Sequence, residues 1–341
     1  MTEKRRRTGR LRVGVLGCAD IARRRMLPAL VRSPDAELIA VAGRDPAKTR
    51  RFTEAFGGVP VDGYERLLER ADIDAVYVPQ PTGLHAHWAE RALRAGKHVL
   101  VEKPLAPTER EADRLVRLAA SLGLALLENF MFLGHAQHTL ARGLLANGAI
   151  GELRELTAEF GVPPRPDGDV RLQPALGGGA LNDVGCYPLR AALLHLGPGV
   201  RVVGASLRYD GGVDRGGAAL LDAPVGATAR LGFGMDRSYT ASCVLWGSTG
   251  RITLPRAYTP PPDRPALVRW EGRGGSRELS VPPQDQFATV LTSWADRVRD
   301  GVPSPLEGEP VVRLAALLDQ VRHRSPAPGD APSAPAIEGV L

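Results

Sequence analysis

The stretch VLVEKPL, residues 99–105, constrains this chain more than any other. Its apolar residues predict a short buried strand, and Pro104 stops that strand because proline cannot donate to a ladder. In an open parallel sheet, ligands sit at the carboxyl ends of the strands. Glu102 and Lys103 therefore fall at the edge of a cleft. The choice of lysine is informative. The chain has 44 Lys+Arg, yet its only lysines are Lys4, Lys48, Lys97 and Lys103. An ammonium can give up a proton when desolvated, which a guanidinium cannot do. Taken alone, Lys103 also reads as a surface lysine capping a strand end; its surroundings decide between the two.

Before this stretch, strands and helices alternate. Residues 11–16 (LRVGVL) predict a strand, GCADIA turns from Gly17 to Ala22, and a helix follows over 21–31. This is the strand–turn–helix setting of a dinucleotide fingerprint. Against G-x-G-x-x-G it reads Gly17, Ala19, Ala22, so only the first glycine is kept. The second strand, residues 38–42, ends at Gly43-Arg44 where NAD-specific sites carry an acidic residue. That favours NADP over NAD, with Arg44 near the 2′-phosphate. Helices are predicted over 46–56, 64–69 and 83–95, and strands over 75–78 and 99–102. His85 falls in a first helical turn near the strand ends, whereas His87 faces solvent. Histidines two residues apart share no helix face, so no metal site is implied. The alternation predicts a doubly wound parallel sheet, closed by a helix over 109–120 and a strand over 124–127.

Beyond residue 128 the texture changes. Apolar/polar alternation over 153–160, 200–209, 218–222, 227–235, 241–246, 250–254 and 266–270 predicts a largely antiparallel sheet. The run GGGALNDVGCY, residues 177–187, opens a helix towards Leu196, and its glycines imply a close backbone approach. Residues 284–300 and 309–322 are closing helices. The expected organisation is a basic flexible arm (1–10), a dinucleotide-binding domain (11–128), a substrate and oligomerisation domain (129–324) and a disordered Pro/Ala/Gly tail (325–341). A net charge of +6 could suggest nucleic acid, but the arginines are dispersed and only residues 4–7 form a basic run. A positive cleft suits a phosphate-bearing cofactor and an anionic substrate. No run approaches the roughly 20 apolar residues of a membrane span. Cys18, Cys186 and Cys243 show no paired or metal-like spacing, so the expectation is a reduced, cytoplasmic protein without metal.

Three separated signals coincide: GVLGCADIA, GKHVLVEKP and GGGALNDVGCYPLR. In that order they resemble the glucose–fructose oxidoreductase / inositol dehydrogenase family (Gfo/Idh/MocA), over residues 11–324. The resemblance implies an α/β protein with a Rossmann domain and a C-terminal α/β domain whose open sheet mediates homo-oligomer contacts. It implies hydride transfer between NAD(P) and a carbinol carbon. Lys103 matches the lysine of the family's E-K-P motif, and Asp183 its aspartate. Tyr187 stands where many members have histidine. Within the tyrosine-bearing branch, GCADIARRRMLPAL and ENFMFLGHAQH look most like NDP-hexose 3-ketoreductases of deoxysugar biosynthesis.

The resulting expectation is an NADPH-dependent ketoreductase acting on a sugar nucleotide. Lys103, Tyr187 and Asp183 are the catalytic candidates. The ammonium of Lys103 should ease ionisation of the Tyr187 phenol, and either side chain could hand over the proton. The cofactor is expected against Gly17, Cys18, Ala19, Asp20, Ile21, Gly43, Arg44, Pro79, Pro81, His85, Glu102 and Lys103. Substrate contacts are expected from Arg171 and Gln173 just before the glycine run, with Asn129, Gln137 and His138 on the opposite wall. The alternatives are a dihydrodiol dehydrogenase or aldose oxidoreductase, and a non-catalytic cofactor-sensing regulator. A regulator has no need for both Lys103 and Tyr187.

Overall fold

Six parallel strands form the first sheet of the computed structural model, which describes residues 9–224 and 226–325. The expected arm and tail therefore lie almost entirely outside the described residues. The first half runs β1 (Leu11–Leu16), α1 (Leu27–Arg32), β2 (Ala36–Gly43), α2 (Pro46–Phe56), β3 (Val59–Asp62), α3 (Tyr64–Leu68), β4 (Ala75–Val78), α4 (Thr82–Arg94), β5 (His98–Val101), α5 (Glu109–Leu122) and β6 (Leu126–Glu128). Strand order is β3-β2-β1-β4-β5-β6, so the direction of winding reverses between β1 and β4. At that switch point a doubly wound sheet opens its binding crevice.

Local chemistry sets the element ends. Asp45 caps α2 by accepting from the Ala47 and Lys48 amides, with Pro46 in the first turn. The helix expected over 21–31 is interrupted by a π turn (Ala22–Met26) before α1. Pro28 has no N–H to return to Arg24, and Leu27 instead donates to Ala22 five residues back.

The second half adds α6 (Ala136–Ala146), β7 (Leu153–Gly161), α7 (Cys186–Leu196), β8 (Arg201–Asp210), β9 (Val213–Asp222), β10 (Thr228–Gly234), β11 (Cys243–Gly247), β12 (Gly250–Leu254), β13 (Ala266–Gly272), β14 (Gly275–Val281), α8 (Gln286–Asp300) and α9 (Glu309–Arg324). Its eight strands lie in the order β14-β13-β12-β11-β7-β10-β9-β8, antiparallel except for β7 beside β10. Strands β3 and β14 and helix α6 escape the sequence pattern. The strands are mostly exposed edges without apolar alternation, and α6 buries Gln137 and His138 as if they were apolar.

Two cores sandwich the first sheet. Leu16, Val76, Val78, Val99 and Val101 face α3, α4 and α5, together with Val311 and Ala315 of α9. On the other side, Leu11, Val13, Val15 and Tyr77 belong to a core continuous with the second domain through Phe287, Val290, Leu291 and Trp294 of α8. The cleft is thus an opening above an unbroken apolar interior.

Candidate active site

The strand ends β1, β2, β4 and β5 and the glycine run of the second domain bound one cavity of about 1590 Å³. Single small-molecule sites commonly occupy about 300–1,000 Å³, so this space suits two ligands side by side.

On the first-domain wall, Gly17 to Ile21, Gly43, Arg44, Pro79, Pro81, His85, Glu102 and Lys103 all line the cavity. Gly43 leaves no room for a larger side chain unless Thr49 shifts, since a Cβ on it would press on Thr49 Oγ1. Arg44 and Lys48 flank it, exposed and without a carboxylate partner among the described residues. His85 is buried, its ring nitrogens 2.7 Å from Pro104 O and 2.6 Å from Gln80 O. It braces two cleft loops, and burial pushes its pKa down to about 4. Glu102 Oε1 accepts from Tyr77 Oη at 2.6 Å and Asn129 Nδ2 at 2.7 Å.

Lys103 follows β5 at a cis Lys103–Pro104 bond, and Nζ donates to the Asp183 carbonyl at 2.5 Å. That carbonyl is available for a sequence reason. Asp183 sits in a second π turn (Leu181–Gly185) in which Cys186 donates five residues back, to Leu181. Pro188, five residues after Asp183, has no N–H to offer it. Lys103 Nζ also lies 3.4 Å from Asp183 Oδ1 and 4.9 Å from the centre of the Tyr187 ring. The same carboxylate pairs with Arg171 Nε at 3.1 Å and Arg165 at 3.8 Å.

Electrostatics fix the protonation states. Burial would lower the Lys103 pKa, but the Cys186 sulfur, Asp183 and Glu102 outweigh it and hold the pKa above its ordinary value. Burial would raise Asp183, but Lys103, Arg171 and Arg165 hold it below 3.8. Tyr187 departs from expectation. Its pKa is raised well above 10, first by burial and then by Cys186, Glu102 and Asp183. The ammonium faces the ring rather than the hydroxyl, which points to Met131 Sδ at 3.7 Å. Tyr187 is therefore a neutral phenol beside a charged lysine. Behind them Glu128 is buried and accepts from the Leu105 amide at 2.8 Å; burial pushes its carboxyl up to about 7.

Among the expected substrate contacts, the structure brings only Arg171 to the cavity. Asn129 is buried against Glu102, and Gln137 and His138 hold the backbone carbonyls of Arg256 and Ala257. Gln173 lies off the lining and donates to Gly168 O. The glycine run approaches protein: a Cβ on Gly177 would lie 2.6 Å from the Gly83 amide nitrogen at the start of α4. Arg165, Tyr239 and Arg256 line the cavity without a sequence signal beyond Arg165 sharing the proline-rich loop ahead of the glycines. No group of three or more metal-ligating side chains occurs among the described residues.

Comparison with known proteins agrees with this geometry. A family described as "Oxidoreductase family, NAD-binding Rossmann fold" matches residues 11–130, and the GFO/IDH/MocA C-terminal domain matches residues 138–253. The chain is 49% identical, over 92% of its length and 95% of the relative, to a dTDP-3,4-didehydro-2,6-dideoxy-alpha-D-glucose 3-reductase of Actinomadura kijaniata. A solved 3-ketoreductase of that organism, in complex with NADP and TDP-benzene, superposes with a TM-score of 0.90 at 48% identity, covering 93% of this chain and 98% of the other. An aldose-aldose oxidoreductase from Caulobacter crescentus, complexed with glycerol, follows at a TM-score of 0.85 and 25% identity over 93% and 97%.

Proposed function

Because the chain belongs to the GFO/IDH/MocA oxidoreductase family, we propose that it uses NADPH to reduce the C-3 ketone of a dTDP-linked deoxyhexose. The observation that carries this reading is the Lys103 ammonium stacked on the neutral Tyr187 phenol, in a cavity with room for two ligands. The 49% identity to a dTDP-ketosugar 3-reductase along nearly the whole chain supports the substrate class.

The cofactor's place fits the residues present. Helical turns begin at Asp20, directly after Gly17, Cys18 and Ala19, and turn a helix N-terminus towards the cavity. Gly43 leaves the end of β2 without a carboxylate, and Arg44 and Lys48 supply cations for a 2′-phosphate. When bound, NADPH supplies the hydride. The chain's own task is to stabilise and protonate the ketone oxygen as negative charge grows on it. Both candidate donors carry a proton at neutral pH by the balance described above. Asp183 fixes Lys103 through its carbonyl and its carboxylate, and Glu128 fixes the turn after it through the Leu105 amide. Arg171 and Arg165 are held at the same wall by Asp183.

On this reading residues 11–128 hold the cofactor and 129–324 the substrate. Self-association is part of the proposal. The outer face of the second sheet leaves Leu220 44% and Trp246 57% exposed, beside the Arg230–Glu155 pair. The three free cysteines suit a reducing cytoplasm, and no helix among the described residues is long and apolar enough to cross a membrane.

Arg44→Asp is expected to reverse the cofactor preference, because a carboxylate repels a 2′-phosphate and accepts from ribose hydroxyls. Initial rates with NADPH and NADH check this, and an unchanged ratio assigns Arg44 to the surface. The function itself is tested by comparing a dTDP-linked 3-ketohexose with the free 3-ketohexose at saturating NADPH. Remote binding energy should raise kcat as well as affinity for the nucleotide form. Equal kcat/KM for the two removes the sugar-nucleotide assignment.

A further inference from the structure

Resting on that reading, we infer that Tyr239 and Arg256 anchor the nucleoside diphosphate of the substrate, the ring stacking the base and the guanidinium holding the phosphates. Both side chains line the cavity on the second-domain wall. Tyr239 is 42% exposed, yet it is held on three sides. Its hydroxyl is spent on Thr259 Oγ1, its ring meets Phe160 edge-on at 6.4 Å, and the Arg256 guanidinium lies 4.9 Å from its centre. A large aromatic surface fixed in place and left open to a cavity loses little entropy when a planar ligand stacks on it.

Arg256 is held just as firmly from behind. Its carbonyl and that of Ala257 accept from the buried Gln137 Nε2 at 3.0 Å each, and His138 Nε2 lies 2.7 Å from Ala257 O. The Ala257 amide donates to Ala241 O at 2.6 Å, which ties the segment carrying Arg256 to the one carrying Tyr239. The polar residues of α6 thus shape this wall without touching the cavity.

Four other arginines of the cavity are committed to carboxylates. Arg165 and Arg171 face Asp183, Arg24 pairs with Asp20, and Arg32 pairs with Asp285. Among the described residues Arg25, Arg44 and Arg256 of the cavity have no carboxylate partner; Arg44 lies on the cofactor wall, and of the three only Arg256 is stacked on an aromatic ring. A guanidinium so placed is free to take phosphate oxygens in a fork.

Phe160 links Tyr239 to the reacting wall, its ring 5.0 Å from that of Tyr187 and 6.4 Å from that of Tyr239.

The test is calorimetric titration of dTDP into the NADP-loaded protein. Arg256→Gln and Tyr239→Ala are each expected to weaken dTDP binding by at least about tenfold, and Tyr239→Phe to retain it because the ring remains. With the dTDP-linked ketosugar the first two variants should raise KM and lower kcat, and their loss of kcat/KM should be larger than for the free ketohexose. If the parent binds dTDP and both variants bind it equally well, the anchor is elsewhere and the inference falls while the proposed function stands. If the parent itself neither binds dTDP nor reduces the dTDP-linked sugar, the proposed function falls and takes the anchor with it.

Discussion

Lys103→Ala is expected to lower kcat by about 10²- to 10⁴-fold while the fold and most NADP affinity are retained. The ammonium is nearly enclosed, its side chain 11% exposed, and both its contacts are to Asp183 and the Tyr187 ring. Removing it takes away the ammonium stacked on the phenol ring and leaves Tyr187 without its charged neighbour. Lys103→Arg should fail as well. The guanidinium keeps the charge but cannot deliver a proton at accessible pH, and its planar fork does not fit a site built around one carbonyl and one ring face. Single-turnover rates with saturating NADPH, beside NADP titration by fluorescence, separate chemistry from binding. Near-parent kcat in the arginine variant would remove the proton-transfer role and leave only an electrostatic one.

Asp183→Ala is expected to be equally severe, for a different reason. One carboxylate, 17% exposed, faces Lys103, Arg171 and Arg165. Without it Lys103 loses its paired carboxylate while Arg171 keeps Asp169; because both arginine side chains are about a third exposed, the cost falls below the roughly 3–5 kcal/mol typical of a fully buried cluster. The pH dependence has a definite sign. Asp183 has a folded pKa below its unfolded value of 3.8, so its stabilisation is complete above that value. It is lost as pH falls through the folded pKa. Lys103 behaves oppositely: its folded pKa lies above 10.5, and its stabilisation is present below that and lost as pH rises through the folded value. The alanine variant should therefore lose the acid-side slope of the melting curve, and the alkaline limb of its kcat profile should move to lower pH because Lys103 has lost an anion. A parent-like Tm with an unshifted alkaline limb would show that the cluster is not coupled as its geometry indicates.

Much of this was legible in residue order, and the exceptions share a cause. Strands β1, β4 and β12 and helix α2 lie over the residues where the sequence pattern puts them. Lys103, Asp183 and Tyr187 converge as the E-K-P and glycine-run motifs imply. What residue order does not carry is depth. Asn129, Gln137 and His138 are polar and near the domain junction, which reads as a ligand wall, but all three are buried and spent on other protein atoms. Nor does it carry orientation. Lys103 beside Tyr187 suggests an eased ionisation of the phenol, yet the ammonium meets the ring face, and burial governs the hydroxyl. The Tyr239–Arg256 pair is invisible for a third reason: it exists only because a bridge between Ala241 and Arg256 brings two distant segments together.

Helix α9 divides its apolar side chains between the two interiors. Val311 and Ala315 complete the core beneath one face of the first sheet, while Leu314, Leu317, Leu318 and Val321 belong to the core shared with the second domain. Pulling the domains apart would strip this one helix of contacts on both sides at once. A boundary near residue 128 is therefore bridged by shared packing, and both sheets are expected to melt in one thermal transition. A ligand seated anywhere in the cleft then protects the entire chain: at a concentration a hundred times its Kd it adds about 2.7 kcal/mol to the unfolding free energy of strands as remote as β14. Availability of NADP and sugar nucleotide thereby sets how long the whole protein survives, as well as how fast it works.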